Sequence, residues 1–287
     1  MIELDRVRFG YGRDVLYEDF SLRIDAPGVY GLFGRNGSGK STLLKLMAGL
    51  LFRQRGRIEV LGHDPQRRDP GFLASVHIVP EEFHLPDLSS RRLAATQAGF
   101  YPRFSRELLD EALATFQLDP DRGFATMSLG EKKKAVVAFA LATRTPLLLL
   151  DEPTNGLDIV GRDQFRKLVR HPTQADRMVL ISTHQAHDLE RILDRVLFVD
   201  RGRLALSAHV ATLAGALRMG VAAAAEVDAM GAAPLHRETI GDQVAYVAAR
   251  EAGEARTGVQ LELLYKALSL DGARVLEAIA AAEGRDD

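Results

Sequence analysis

The sequence predicts an α/β fold. It combines a mainly parallel sheet, an N-terminal antiparallel β part, an inserted helical subdomain and a small C-terminal α+β appendage. Three observations predict it. Short, continuously apolar runs at 147–150 and 178–181 alternate with helix-like stretches, the pattern of strands covered on both faces. A strand-like run at 29–33 feeds directly into a glycine-rich loop and then a helix-like stretch. Residues 83–145 are mostly helical in pattern, with breaks at Pro86, Pro102 and Pro120, so they interrupt the alternation.

Taken in order, residues 2–9 and 20–24 alternate as strands, with Tyr11 in a glycine-flanked turn between them. Residues 29–33 are short, apolar and rich in β-formers. Residues 42–50 read as a helix, with apolar positions at 43, 46, 47 and 50. Strands follow at 57–62 and 76–80, the second ended by Pro80. Residues 106–116 form an amphipathic helix, and Ser128 opens another that runs through Arg144. The α/β core resumes with a strand from Leu147 and a helix over 160–170. Residues 178–184 are a strand, 186–193 a helix and 195–199 a strand. After about Leu206 the composition shifts. Residues 207–233 are alanine-rich, 244–248 can form a strand, and 260–270 and 273–282 read as helices. This divides the chain into a domain over 1–206 and an accessory domain over 207–287.

Composition narrows the class. The chain has 287 residues, 46% apolar and 26% charged, the profile of a globular protein with room for one large domain and a small one. A formal net charge of −2 gives no global basic signal, so no direct nucleic-acid partner is expected. Without cysteine there are no disulfides or thiolate metal sites, which suits a reducing compartment. The acidic, alternating N-terminus is not a signal peptide. No run approaches the roughly 18 apolar residues needed to cross a bilayer. A cytoplasmic location is expected, with any membrane role passing through a partner.

Gly34-Arg35-Asn36-Gly37-Ser38-Gly39-Lys40-Ser41 fits the phosphate-loop pattern G-x-x-x-x-G-K-[ST]. Its glycines let the backbone curl so that several N–H groups point into one concavity. The helix that follows, entered through Thr42, adds unpaired N–H groups and a positive dipole end. Lys40 can place its ammonium on the β- and γ-phosphates, and Ser41 can offer a hydroxyl to Mg²⁺, which prefers hard oxygen ligands. The second signal is Leu147 to Glu152: four leucines and then Asp-Glu place two carboxylates at the carboxyl end of a buried strand. Asp151 can hold Mg²⁺, and Glu152 can orient and deprotonate an attacking water. Phosphoryl transfer asks for that division of labour.

These motifs, with Asn155-Gly156-Leu157-Asp158 and Ser182-Thr183-His184 in order behind them, resemble the ATP-binding subunits of ABC transporters over roughly residues 1–206. The resemblance implies a P-loop ATPase core, ATP and Mg²⁺ as cofactors, and a helical subdomain where the inserted stretch lies. It also implies a head-to-tail dimer around two nucleotides, formed with an identical or a related ATPase chain, and a separate membrane-spanning partner, in the manner of bacterial export systems. Tyr11 matches the aromatic that stacks on adenine; the alternative is a turn tyrosine packed on the core. Asp158 matches the aspartate that communicates between subunits and is also suited to capping a helix. His184 matches the switch histidine that contacts the γ-phosphate.

The sequence departs from the family in two places. Met127-Ser128-Leu129-Gly130-Glu131 stands for the signature Leu-Ser-Gly-Gly-Gln; Ser128 and Gly130 are kept. Lys132-Lys133-Lys134 either offsets Glu131 and favours anions or forms a solvated helix face. Glu81 falls where relatives usually carry a glutamine. Its carboxylate can reach Mg²⁺ or the lytic water, or it is a surface loop residue. Two other readings stay open: a soluble ATPase of this type acting on nucleic acid or ribosomes, and a nucleotide-gated regulatory module with little turnover. Among weaker features, Arg67-Arg68 and Arg91-Arg92 suit solvated surface, and the aromatic stretch 100–104 suits core packing. Residues 83–88 lie where a membrane subunit would dock.

Overall fold

The computed structural model describes residues 1–230, 233–251, 253–254 and 257–283. The chain opens with three strands, β1 (Ile2–Tyr11), β2 (Asp14–Ile24) and β3 (Gly28–Phe33), followed by α1 (Lys40–Met47) and β4 (Arg55–Val60). Strands β2, β1 and β4 pair antiparallel in that order, the expected N-terminal β part. Tyr11 does not sit in a turn: it is the last residue of β1 and pairs with Asp14 of β2. Leu50, the last apolar position assigned to the first helix, lies beyond α1 and is exposed.

After α2 (Pro70–Ser75) and β5 (Val76–Val79) comes the helical insertion, with α3 (Ser90–Gln97), α4 (Arg106–Thr115) and α5 (Leu129–Ala142). Each of the three helices is N-capped by a serine hydroxyl, from Ser89, Ser105 and Ser128. Tyr101 and Phe104 pack on Phe139 of α5, as the aromatic stretch predicts, whereas Phe100 is exposed. The core then returns with β6 (Leu147–Asp151), α6 (Ile159–Val169), β7 (Met178–Ser182), β8 (Arg195–Asp200) and β9 (Arg203–His209).

The central sheet has the order β5-β6-β7-β3-β8-β9, parallel except where β9 pairs antiparallel with β8. The inner strands β6 and β7 are almost wholly apolar because both of their faces are buried. Leu147 and Leu149 enter one core with α1 and the N-terminal sheet, while Leu148 and Leu150 enter the other with α5 and α6. Met178 and Leu180 against Val179 and Ile181 divide in the same way, as a period of two requires. The helix expected over 186–193 is a single 3-10 turn, Ala186–Asp188. Leu189 N–H bonds to Ala186 O and Ile192 N–H to Leu189 O, three residues back. Asp194 N–H is already committed to Val29 O, so the short span between β7 and β8 buries Leu189, Ile192 and Leu193 through tight turns.

The position chosen for the domain boundary, Leu206, falls inside β9. Beyond it come α7 (Val210–Ala216), β10 (Leu217–Ala223), α8 (Ala224–Asp228), β11 (His236–Ile240), β12 (Gln243–Ala249) and α9 (Leu261–Glu283). Strands β10, β12 and β11 form a separate antiparallel sheet. Helix α9 is broken at Asp271 (φ −128°, ψ 33°), the expected division between two helical stretches. Its first part bridges the small sheet and the parallel one: Lys266 pairs with Glu238 of β11 at 2.8 Å, Tyr265 stacks on Phe198 of β8 with ring centroids 5.7 Å apart, and Leu261 N–H bonds to Glu190 at 2.8 Å.

Candidate active site

The glycine loop occupies the gap between β3 and α1, at the carboxyl edge of the parallel sheet. Gly39, the N-cap of α1, has φ 105°, and a Cβ there would lie 2.2 Å from the Tyr17 hydroxyl, which donates to Gly39 O at 2.7 Å. Only glycine serves there. Lys40 is buried, and its Nζ donates to the loop carbonyls of Gly34 (2.8 Å) and Arg35 (3.2 Å). Burial pushes its pKa down, while Glu152, Asp151 and Glu81 pull it up. Ser38 is buried too, and its hydroxyl has no partner among the described residues. A phosphate oxygen would satisfy it.

At the end of β6, Asp151 is buried and accepts from Ser41 Oγ at 3.0 Å and, more closely, from the Ser182 hydroxyl. Glu152 follows in the left-handed region, φ 47°, with its N–H donated to Ser182 O at 3.0 Å. Its carboxylate meets His184 Nδ1 at 2.8 Å. Glu81 Oε1 accepts from Asn155 Nδ2 at 3.3 Å. Glu81, Glu152 and His184 thus line one cleft of 600 Å³ with Asn36, Gly37, Gly39, Lys40, Ser41 and Thr42. Tyr11 closes the same cleft. It is 53% exposed, its hydroxyl 3.0 Å from Thr42 Oγ1, so it is presented to the cleft and not packed in the core. Gly34 and Arg35 line an adjoining recess of 420 Å³ with His184, Phe198 and Tyr265.

The signature residues stand apart from both linings. Ser128 caps α5 in a complete capping box: its hydroxyl accepts from Glu131 N–H at 3.3 Å, and Glu131 accepts from Ser128 N–H at 2.8 Å. That second bond holds the Glu131 carboxyl below the usual range, and Arg122, 2.7 Å away, adds to it. Arg122, not the lysine run, therefore offsets Glu131. Leu129 is 69% exposed. A Cβ on Gly130 would come 3.0 Å from Gly156 O, so the helix start abuts the loop that carries Asp158. Asp158 N-caps α6 by accepting from Gly161 N–H at 2.9 Å, and Lys134 lies 3.5 Å from the same carboxylate.

Three residues assigned no individual role by the sequence belong to the arrangement. Ser182 bridges Asp151 and the backbone of Glu152. Asn155 holds Glu81. Lys133 is buried, with Nζ donating to Glu152 O at 3.0 Å. The lysine run is thus neither a uniform solvated face nor a single anion-seeking patch. Ser182 and Asn155 belong to motifs visible in the sequence, but nothing in three successive lysines marks the middle one as internal.

The ABC transporter family model matches residues 17–155. The chain is 30% identical to the ABC transporter ATP-binding protein YtrB of Bacillus subtilis over 206 residues, 71% of this chain and 70% of that protein. It belongs to the ABC transporter ATP-binding family. It is also 31% identical to the Nod factor export ATP-binding protein I of Sinorhizobium fredii over 209 residues, 70% of this chain and 61% of that one. Among solved structures it resembles an ATP-binding subunit of an ABC transporter at 25% identity and a TM-score of 0.66, covering 73% of this chain and 90% of the other. The ABC family fixes the activity as that of an ATP-binding ATPase with an α/β fold, as the sequence predicts. Among the described residues, no helix is long and apolar enough to cross a membrane.

Proposed function

We propose that this ABC ATP-binding subunit closes with a second ATPase chain around two ATP molecules, hydrolyses them with Mg²⁺ bound, and thereby drives a separate membrane-spanning partner in export. The observation that carries the reading is the pairing of Glu152 with His184 at 2.8 Å on the cleft that Lys40 and Ser41 enter from the other side. Lys40, released from Gly34 O and Arg35 O, binds the β- and γ-phosphates, and the loop N–H groups hold the rest. Ser41 and Asp151, with Glu81 in reach of the cleft, form an all-oxygen donor set that fits Mg²⁺. Held there, Mg²⁺ would supply the charge that neutralises phosphate oxygens as negative charge develops on them. Glu152 takes a proton from the attacking water, and His184, hydrogen-bonded to it, holds its carboxylate and reaches the γ-phosphate. Tyr11 offers its exposed ring to adenine.

Ser128 and Gly130 lie outside this cleft, which supports their service to a nucleotide held by the opposite chain, with Asp158 beside them at the junction. The membrane partner is placed at residues 83–88, as the resemblance implies, and at the apolar groove of 630 Å³ lined by Leu50, Leu73, Ile78, Phe100 and Tyr101. Strand β5 supports this placement: His77 and Ile78 line the groove, and Glu81, just beyond the strand, lines the cleft. Export follows the resemblance to separate-subunit export systems and the relative named for Nod factor export. Residues 207–287 are proposed to be accessory to this machine. The test is the mass of a Glu152→Gln variant in solution with ATP and Mg²⁺. A doubling of mass that ADP does not produce is expected; a chain that stays monomeric while binding ATP would overturn the paired-site reading.

A further inference from the structure

Lys133 has no role in the mechanism above, yet it is the lysine that α5 sends inward. It is 4% exposed, three residues past Gly130, while Lys132 and Lys134 are half-buried. Burying an ammonium is costly unless it is hydrogen-bonded and balanced by opposite charge. Among the described residues, its one hydrogen bond is to Glu152 O, at 3.0 Å. Burial lowers its pKa, and Glu81, then Glu152, then Asp151 raise it. The same three carboxylates act on Lys40. Two buried ammonium groups therefore share one set of three acids.

The carbonyl that Lys133 holds belongs to a strained turn. Glu152 has φ 47°, a left-handed conformation that a residue with a side chain adopts only when its neighbours hold it there. Its N–H is fixed by Ser182 O at 3.0 Å, and its carbonyl accepts from Asn155 N–H at 3.2 Å as well as from Lys133. The turn sends two side chains into the cleft. Glu152 meets His184, and Asn155 grips Glu81 at 3.3 Å. Glu81 therefore lies in the same cleft as Glu152, and the turn brings two acids together there.

We propose that Lys133 is a positioning residue for ATP hydrolysis: it fixes the left-handed turn that aims Glu152 and, through Asn155, Glu81, and it balances the charge that Glu81 brings. The assignment rests on the reading of Glu152 as the base. Lys133→Met keeps the apolar stem and removes both bond and charge. Its kcat is expected to fall about 10- to 100-fold, the cost of misplacing a reacting group, with the Kd for ATP within about twofold of the parent. Adding Glu81→Gln should return at least about threefold of the lost rate, because the two changes are coupled through one charge balance. In a Glu152→Gln background, Lys133→Met should not slow single-turnover hydrolysis further. Lys133→Gln, which keeps a donor, should fall between the parent and Lys133→Met.

A parental kcat in Lys133→Met, or an equal further loss on the Glu152→Gln background, overturns the positioning role. A double variant with Glu81→Gln no faster than Lys133→Met overturns the charge balance. Loss of ATP binding or of the thermal transition in both Lys133 variants overturns the proposal as well, since Lys133 would then support the fold and not the turn. If Glu152→Gln alone keeps its full rate, it is the reading of Glu152 that fails.

Discussion

The end of β6 and the start of α5 lie side by side but are built on opposite terms. At the strand end, Asp151 and Glu152 are buried and bonded to Ser41, Ser182, His184 and Lys133, and Glu152 lines the cleft with Glu81 and His184. At the helix start, Ser128 and Glu131 satisfy each other in a capping box at the surface, and Leu129 projects into solvent. A group held from every side is ready to act within its own chain. A helix end that has satisfied its own donors needs no ligand to be stable, so an anion brought there by another body must share N–H groups already in use. The difference teaches why half of the proposed site can be complete in one chain while the other half is only a surface.

The sharpest way to break that comparison is to remove the acid at the strand end. Glu152→Gln should lower ATP turnover by about 10²–10⁴ while ATP affinity changes little; unchanged steady-state turnover would dissolve the distinction. Next in size, Lys40→Ala should weaken ATP binding about 10- to 100-fold, the worth of a charge-assisted contact to phosphate, as read by titration of the isolated chain. Ser128→Ala probes the other region. It should leave ATP affinity of the isolated chain unchanged, cost about 1 kcal/mol of helix capping in a denaturant melt, and slow turnover through the paired site. A large loss of ATP affinity in Ser128→Ala would place both regions in one chain's site. Smallest of all, Glu131→Gln keeps a capping-box partner and removes only the exposed pairing with Arg122. Its melt midpoint should move less than that of Ser128→Ala.

What could be read from the sequence divides along similar lines. The phosphate loop, the leucine strand and the His184 strand were legible because local residue types carry them: glycine where φ is positive, apolar runs where both sheet faces are buried. The helix expected over 186–193 was not, because its apolar spacing is met by 3-10 turns whose length is set by where β7 ends and β8 must begin. Strand β9 was cut at Leu206 because its alanines and serine carry little strand preference, and its place comes from pairing with β8. Lys133 was hidden for a related reason. A lysine's identity does not say which side of a helix is covered, and only the packing of α5 beside the Glu152 turn turns one lysine of three inward.

The stack of Tyr265 on Phe198 has a practical consequence for anyone handling the protein. Leu206, Leu213, Leu217, Leu261 and Leu264 share one continuous apolar core with Phe198 and the helices over the parallel sheet. A recombinant fragment trimmed to its nucleotide-binding part would leave a greasy scar along β8, the kind of contiguous patch that makes chains clump. Such a fragment should be harvested from the pellet, whereas the full chain should be harvested from the supernatant.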